Sequence, residues 1–94
     1  MTASATGDSS ATDGAPSLRN LLEYLARGLV DEPGLVSVKE VREDDGTVVL
    51  ELSVGQDDYG NVIGRGGRTA GALRTVVKTA AVKHGHRVFV DIVD

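Results

Sequence analysis

The stretch that decides the fold is Val62-Ile63-Gly64-Arg65-Gly66-Gly67-Arg68, an apolar pair followed by a glycine-bounded loop and a basic residue. Glycine adopts backbone angles closed to other residues and has no side chain to hold a ligand away, so this loop can bring its N–H groups against a phosphate chain. The helix predicted next would point its partly positive N-terminus to the same place. Because Arg65 and Arg68 add guanidinium groups suited to phosphate, the stretch predicts a clamp on a nucleic-acid backbone.

Helices are predicted on both sides of this loop. The shorter spans about 58–63, where acidic residues suit a helix start, and we expect Asp57 and Asp58 to cap it. The longer spans about 68–84 and stops at Gly85. Its predicted buried stripe comprises Leu73, Val76, Val77, Ala80 and Ala81. Arg74 and Lys78 are expected on one exposed side, where a phosphate ligand or simply solvent would relieve their repulsion.

A further helix is predicted near the start of the chain, with Ser17 as its N-cap. Leucines recur at spacings of three and four and form one apolar stripe: Leu18, Leu21, Leu22, Leu25 and Leu29. The helix should end around Val30, before the breaker cluster at 31–34. We interpret the stripe as core packing, while a second use as a dimer face stays open.

Three strands complete the pattern, at about 35–43, 47–54 and 87–93. The first two flank Asp44-Asp45-Gly46, a hairpin signal. In the second, apolar residues alternate with others, which fits a sheet covered on one face. The order predicts an α+β domain, αββααβ, with a mixed three-stranded sheet and all helices on one face. If the two consecutive helices run antiparallel, the last strand should lie antiparallel to the second strand and parallel to the first.

These residues resemble a KH domain, whose signature is an apolar pair and GxxG between two helices, here Val62-Ile63-Gly64-Arg65-Gly66-Gly67. The stretch from Tyr59 to Ala70 and the chain length are similar to the small bacterial single-KH proteins of the KhpA family, and the element order to type II KH domains. The resemblance implies a groove that holds about four nucleotides of single-stranded RNA, with the loop and its two flanking helices as one wall and strand 47–54 with the loop after it as part of the other. The RNA-binding residues it implies, together with the charge argument, are Asn61, Val62, Ile63, Gly64, Arg65, Gly66, Gly67, Arg68, Ala70 and Arg74.

The same resemblance implies partners and a cellular role. Proteins of this family form homodimers, pair with the larger KH protein KhpB, and are regarded as RNA chaperones in cell elongation and peptidoglycan homeostasis. Two positions depart from the common KH pattern. Ala70 replaces a larger aliphatic residue in the groove floor, and Gly66 leaves Arg65 as the one charge inside the loop.

The charge distribution agrees with this interpretation although the net charge of the 94 residues is −4. Residues 1–59 hold 4 basic and 12 acidic side chains, whereas residues 60–94 hold 6 basic and 2 acidic ones. The local field governs backbone contact, so the basic half that begins beside the loop favours nucleic acid. With aromatic residues at 3%, affinity should come mainly from phosphate contacts and groove packing.

Composition also bounds the domain and its location. Residues 1–16 lack apolar periodicity and are predicted to be a disordered tail, and 17–94 a single KH domain. The absence of cysteine, of a secretory signal and of an apolar run near the roughly 18 residues of a membrane span favours a cytoplasmic protein.

Other chemistries are not supported by the sequence. The loop lacks the Gly-Lys-Ser/Thr of a Walker A motif, His84 and His86 lack further ligands for a metal, and no serine has an adjacent base. We therefore expect no enzyme, no cofactor and no metal. Alternatives that stay open are a protein–protein adaptor that uses the fold to dimerise, a single-stranded DNA binder and a small ribosome-associated factor.

Overall fold

The computed structural model describes residues 17–93, so the predicted tail at 1–16, together with Asp94, lies outside the described residues. Its helices are α1 (Leu18–Arg27), α2 (Tyr59–Ile63) and α3 (Arg68–Lys83). Its strands are β1 (Ser37–Arg42), β2 (Val48–Ser53) and β3 (Val88–Val93). Short 3₁₀ turns occupy Pro33–Leu35, Gln56–Asp58 and Arg65–Gly67. The predicted α+β class and the order αββααβ are confirmed.

Helix α1 begins at the predicted cap. The Ser17 Oγ accepts a hydrogen bond from the Asn20 backbone N–H at 3.1 Å, which satisfies one of the N–H groups that a helix start leaves unpaired. Leu22 and Ala26 are fully buried, so the leucine-rich face packs on the core as expected. The helix ends at Arg27, before the predicted Val30, and Leu29 remains 41% exposed.

The sheet has the order β1-β2-β3, and one predicted strand direction was wrong. Strand β1 pairs antiparallel with β2, but β3 lies parallel to β2 and therefore antiparallel to β1. The reason is the length of the helices. The five residues of α2 rise about 7.5 Å, too little to carry the chain back along the sheet, so the 16-residue α3 makes the return alone. Because only one helix runs back along the sheet between β2 and β3, the two strands run in the same direction, as in a parallel crossover connection.

Alternation in the strands places one face of the sheet under the helices, as predicted. Leu50 and Leu52 of the central strand point into the core and have no solvent-accessible area, and Val48 is 5% accessible. In β3 the side chains of Val88 and Val90 join them. Strand β1 begins at Ser37 rather than at the predicted Leu35, because Pro33 starts a 3₁₀ turn that includes Leu35.

Asp58 does not cap α2, contrary to prediction. Its buried carboxylate accepts hydrogen bonds from the backbone N–H groups of Asp31 and Glu32 and from the Asn61 Nδ2, each at 3.0 Å. The Asp31 N–H contributes most to holding the pKa of Asp58 below its ordinary value, while burial acts in the opposite direction. The side chain thus ties the α1–β1 connection to the start of α2.

The buried stripe of α3 is narrower than predicted. Its fully or nearly fully buried residues are Ala70, Leu73, Val77 and Ala81. Ala80 is half-buried and Val76 is 45% exposed, so placing Val76 in the core was wrong. The stripe at spacings of three and four faces the sheet, and Val76 lies beside it, toward α1.

Candidate nucleic-acid interface

The glycine loop adopts backbone angles that depend on its composition. Gly64 has φ 76° and ψ 167°, Gly66 φ 64° and ψ 19°, and Gly67 φ 77° and ψ 12°. The Gly64 conformation is essentially restricted to glycine. A Cβ at Gly64 would also collide with Thr69 Oγ1 and lie 2.8 Å from the Thr69 backbone nitrogen, whereas at Gly66 or Gly67 it would meet nothing within 4 Å. Gly64 is therefore required by geometry, and the other two leave an open surface.

The loop leads straight into the N-terminus of α3. Gly67 is the N-cap, and no side chain caps the helix there. The Gly67 N–H donates to the Gly64 carbonyl at 3.1 Å and the Arg68 N–H donates to the Arg65 carbonyl, so the 16-residue helix presents chiefly the positive end of its dipole beside the loop. Arg65 and Arg68 are exposed at this point. Among the described residues, the salt bridges use Arg19, Arg27 and Arg42, and none uses Arg65 or Arg68.

The apolar residues around the loop form its support. Val62 is fully buried and Ala70 is 2% accessible, so both lie in the core under the loop, while Ile63 is half-buried beside it. Asn61 is exposed, but its side-chain amide donates to Asp58. The structure therefore brings residues 65–68 together at the surface. Val62 and Ala70 lie in the core beneath them, and Ile63 packs beside the loop.

Arg74 does not point freely into solvent. Its Nε donates a hydrogen bond to the Val90 carbonyl at 3.1 Å. The Arg87 carbonyl accepts from Val48 of β2, so, by strand alternation, the carbonyls and N–H groups of Val88, Val90 and Ile92 point away from β2. Arg74 therefore spans from α3 to the free edge of the sheet, and this edge lies beside α3.

This arrangement corrects the expected second wall of the groove. From the sequence, part of that wall was expected to be strand 47–54, together with the loop after it. The strand is the central strand β2, hydrogen-bonded on both edges, so its main chain is not available to a ligand. Within residues 17–93 two edges of the sheet have no paired strand, those of β1 and β3, and the edge of β3 is the one beside α3. The sequence carried no signal for this, because the order of strands in a sheet is not a local property.

Two concavities lie near the loop. One, of about 650 Å³, is lined by Ser53, Val54, Gln56 and Tyr59, where β2 leads into α2. The other, which we call the α1–α3 groove, has a volume of about 220 Å³ and is lined almost wholly by apolar atoms from Leu25, Leu29, Thr69, Ala72, Leu73 and Val76. Thr69 places this second groove directly beside the glycine loop.

Residues 17–93 lack two further features. In this part of the chain no helix is both long and apolar enough to cross a membrane. Nor do three or more His, Cys, Asp or Glu side chains gather there as ligands for a metal ion.

Comparison with known proteins identifies the family. A family model described as the KH domain of KhpA/KhpB matches residues 19–92. The chain belongs to the KhpA/KhpB KH-domain family. This membership confirms the KH resemblance, and with it the prediction that the chain is not an enzyme.

Relatives named RNA-binding protein KhpA match over nearly their whole length. The protein of Halalkalibacterium halodurans is 51% identical over 78 residues, which are 82% of this chain and 100% of the relative. That of Clostridium acetobutylicum is 49% identical over 81% of this chain and 100% of the relative. That of Streptomyces coelicolor is 49% identical over 82% of this chain and 92% of the relative.

A solved structure supports the fold of this KhpA/KhpB-type domain. A crystal structure of Aquifex aeolicus Era, bound to GDP and aluminium fluoride, superposes with a TM-score of 0.59 at 16% identity. The match covers 80% of this chain but 29% of the Era chain, and at that identity it bears on the fold alone.

Proposed function

We propose that this KhpA/KhpB-type domain binds single-stranded RNA by clamping its backbone at the loop Gly64–Gly67. One observation carries the proposal: three glycines with positive φ lead directly into the uncapped N-terminus of α3, flanked by Arg65 and Arg68. The positive end of a helix dipole and two guanidinium groups thus converge where one phosphate would sit. The names of the relatives, RNA-binding protein KhpA, agree with this assignment.

The rest of the groove follows from the fold. The α2–loop–α3 unit forms one wall, and the free edge of β3 forms the other, with Arg74 crossing between them at Val90. The edge groups of Ile92 lie on the loop side of this crossing and are the main-chain groups available to a base. We expect about four nucleotides in the groove, held chiefly through their phosphates.

The test is fluorescence anisotropy with labelled four-nucleotide RNA and matched DNA at two salt concentrations. The clamp variant combines Arg65→Asp with Gly66→Asp. Its matched control combines Arg42→Asp, at the end of β1, with Gly46→Asp, in the β1–β2 turn. It changes the charge equally, also uses a positive-φ glycine with open space, and lies at the far end of the sheet from α2. Circular dichroism establishes that both variants are folded.

We expect the clamp variant to bind RNA at least about tenfold more weakly, since one charged hydrogen bond contributes about 1.5–3 kcal/mol. The slope of log K against log salt should fall by about 0.7 for each phosphate that the variant no longer neutralises. The control should be weakened far less. Equal weakening of both variants would mean that only the net charge matters for RNA affinity. Unchanged RNA binding by both would contradict the proposed clamp. Equal binding of DNA would make the ligand single-stranded nucleic acid in general.

We also propose that the domain forms a homodimer through the α1–α3 groove. Its lining includes two exposed apolar side chains, Val76 of α3 at 45% and Leu29 at 41% accessibility. A two-fold interface brings the same surface of two chains together, and exposed apolar side chains around an apolar groove can pack on their own copies, so the occupant is a second copy of this chain. Dimerisation would place two glycine loops on one particle and raise its avidity for RNA.

Analytical ultracentrifugation of Val76→Asp and Val82→Asp tests this interface. Both residues are exposed valines of α3, but Val82 is 74% exposed and does not line the groove. We expect Val76→Asp to be monomeric at concentrations at which Val82→Asp and the wild type dimerise. If both variants stay dimeric, the interface lies elsewhere. If Val76→Asp is monomeric and the wild type does not bind RNA, the adaptor function becomes the better account.

The cellular part of the proposal is carried by family resemblance alone. It comprises a cytoplasmic location, pairing with a KhpB-type protein, and action as an RNA chaperone in cell elongation and peptidoglycan homeostasis. Co-purification of a tagged wild-type chain and its clamp variant distinguishes the roles. A KH partner retained by both, with RNA absent from the variant, supports the pairing and the clamp together, while cosedimentation with ribosomal subunits would favour a ribosome-associated role.

A further inference from the structure

Phe89 exposes an aromatic ring on the side of the sheet that the helices of residues 17–93 leave uncovered. Val88 and Val90 point into the core, so Phe89 between them faces outward, and it is 49% exposed. The ammonium group of Lys78 lies 5.5 Å from the centre of the ring. Because Lys78 belongs to α3 on the covered side, its side chain passes around the free edge of β3 to reach the ring. The ring and the edge therefore form one continuous surface.

The neighbours of Phe89 define which way a ligand would lie. Strand register places Val49 and Val41 beside it on the outer face, an apolar row that would floor a flat ring system. The next row holds Lys39, Glu51 and Asp91, two of which are acidic and would repel phosphate on that side. Lys78 and Arg74 lie at the free edge of β3, on the side of Phe89 that faces away from Val49. A base on the ring would thus leave its phosphate at the edge, between the two cations.

We infer that Phe89 and Lys78 form a second RNA subsite, in which a base stacks on Phe89 while Lys78 moves from the ring to its phosphate. The inference rests on the proposed clamp, which supplies the start of the path. Lys78 lies ten residues beyond Arg68, or about 15 Å along α3, which at about 3.4 Å per stacked nucleotide is about four nucleotides. RNA that leaves the groove along this edge arrives at the ring, so the footprint exceeds four nucleotides.

The experiment is a length series of labelled RNAs with four, six, eight and ten nucleotides, measured by anisotropy at fixed salt. The test variant is Phe89→Leu, which keeps apolar bulk but removes the aromatic ring. Phe89→Tyr is the conservative control because it keeps the ring. Stacking on an aromatic side chain is worth enough to change the affinity by about fivefold or more. The eight-nucleotide RNA should therefore bind Phe89→Leu at least about fivefold more weakly than wild type, with less than twofold change for four nucleotides and for Phe89→Tyr.

Contact is read separately by placing 4-thiouridine at successive positions and identifying the crosslinked peptide, which should contain residues 88–93 for positions beyond the fourth. If the affinity of the wild type for RNA does not increase beyond four nucleotides, the subsite is contradicted while the clamp stands. The same conclusion follows if Phe89→Leu alters self-association but not RNA binding, because the face is then a protein interface. If wild type binds no RNA of any length, the clamp itself fails, and the subsite with it.

Discussion

Three of the glycines between residues 64 and 71 allow a sharp test of the loop geometry by the same change, glycine to alanine. Gly64 combines a glycine-only conformation with contacts below 3 Å to Thr69 for an added Cβ. Gly66 has positive φ but open space. Gly71 lies inside α3 with ordinary helical geometry and open space. The structure therefore predicts three different outcomes from one chemical substitution.

The magnitudes follow from those environments. For Gly64→Ala, about 1–3 kcal/mol of backbone strain and about 1–3 kcal/mol of overpacking are reduced by about 0.4–1 kcal/mol from a stiffer unfolded chain, which leaves a destabilisation near 3 kcal/mol. Gly66→Ala incurs about 1–2 kcal/mol for its left-handed conformation and should be destabilised by about 1 kcal/mol net. Gly71→Ala should be stabilised by about 0.8–1 kcal/mol, the difference in helix propensity.

Thermal unfolding followed by circular dichroism measures all three. One kcal/mol shifts the Tm of a domain of this size by about 4–8 °C. Gly64→Ala should thus lower the Tm by roughly 12–24 °C, Gly66→Ala by roughly 4–8 °C, and Gly71→Ala should raise it by roughly 4–8 °C. Protein concentration is held constant because self-association makes the Tm concentration-dependent. A Gly64→Ala variant within about 0.5 kcal/mol of wild type, or a destabilised Gly71→Ala, would refute the reasoning.

Three further predictions concern residues that support the site. Leu50→Ala, at a position with no accessible surface, should cost about 2–5 kcal/mol in urea unfolding, and a smaller cost would mean that the core collapses around it. Ser17→Ala should cost about 1 kcal/mol by removing the α1 cap, with Ser17→Asp as the control that restores it. Because the folded-state pKa of Asp58 is lowered, its stabilisation is present above the unfolded pKa, near 3.8, and disappears as the pH falls through the folded value. The Tm of wild type should therefore fall further than that of Asp58→Asn between pH 5 and pH 3, and parallel curves would contradict this.

Local patterns in the sequence were sufficient to predict the helices, the strands and the unusual backbone of the glycine loop. The spacing of Ser17 from the leucine stripe predicted the cap, and the alternation around Leu50 predicted the covered face, because each is a property of a few neighbouring residues. Glycines at 64, 66 and 67 likewise predicted an unusual backbone. RNA contact by the predicted site residues, including Arg65 and Arg68, stays a prediction.

What the sequence could not supply depends on residues far apart in the chain. Asp58 resembles a helix cap because it precedes α2, but its partners Asp31 and Glu32 lie 27 and 26 residues away. Arg74 looks like a free surface charge until β3 is known to present Val90 to it. The direction of β3 depended on α2 being too short to return the chain: its predicted span nearly matched the observed one, but the inference assumed that α2 and α3 each carry the chain along the sheet.

The parallel pairing of β2 with β3 has a consequence for how the domain folds. The β1–β2 hairpin closes across a few residues and can form within microseconds, whereas Val48 and Val88 are 40 residues apart and must wait for α2 and α3. In the interval, β2 presents a bare, valine- and leucine-rich edge, the kind of surface that recruits a strand from another chain. We therefore expect refolding yield to fall with protein concentration, and variants that weaken β3 to aggregate rather than to unfold reversibly.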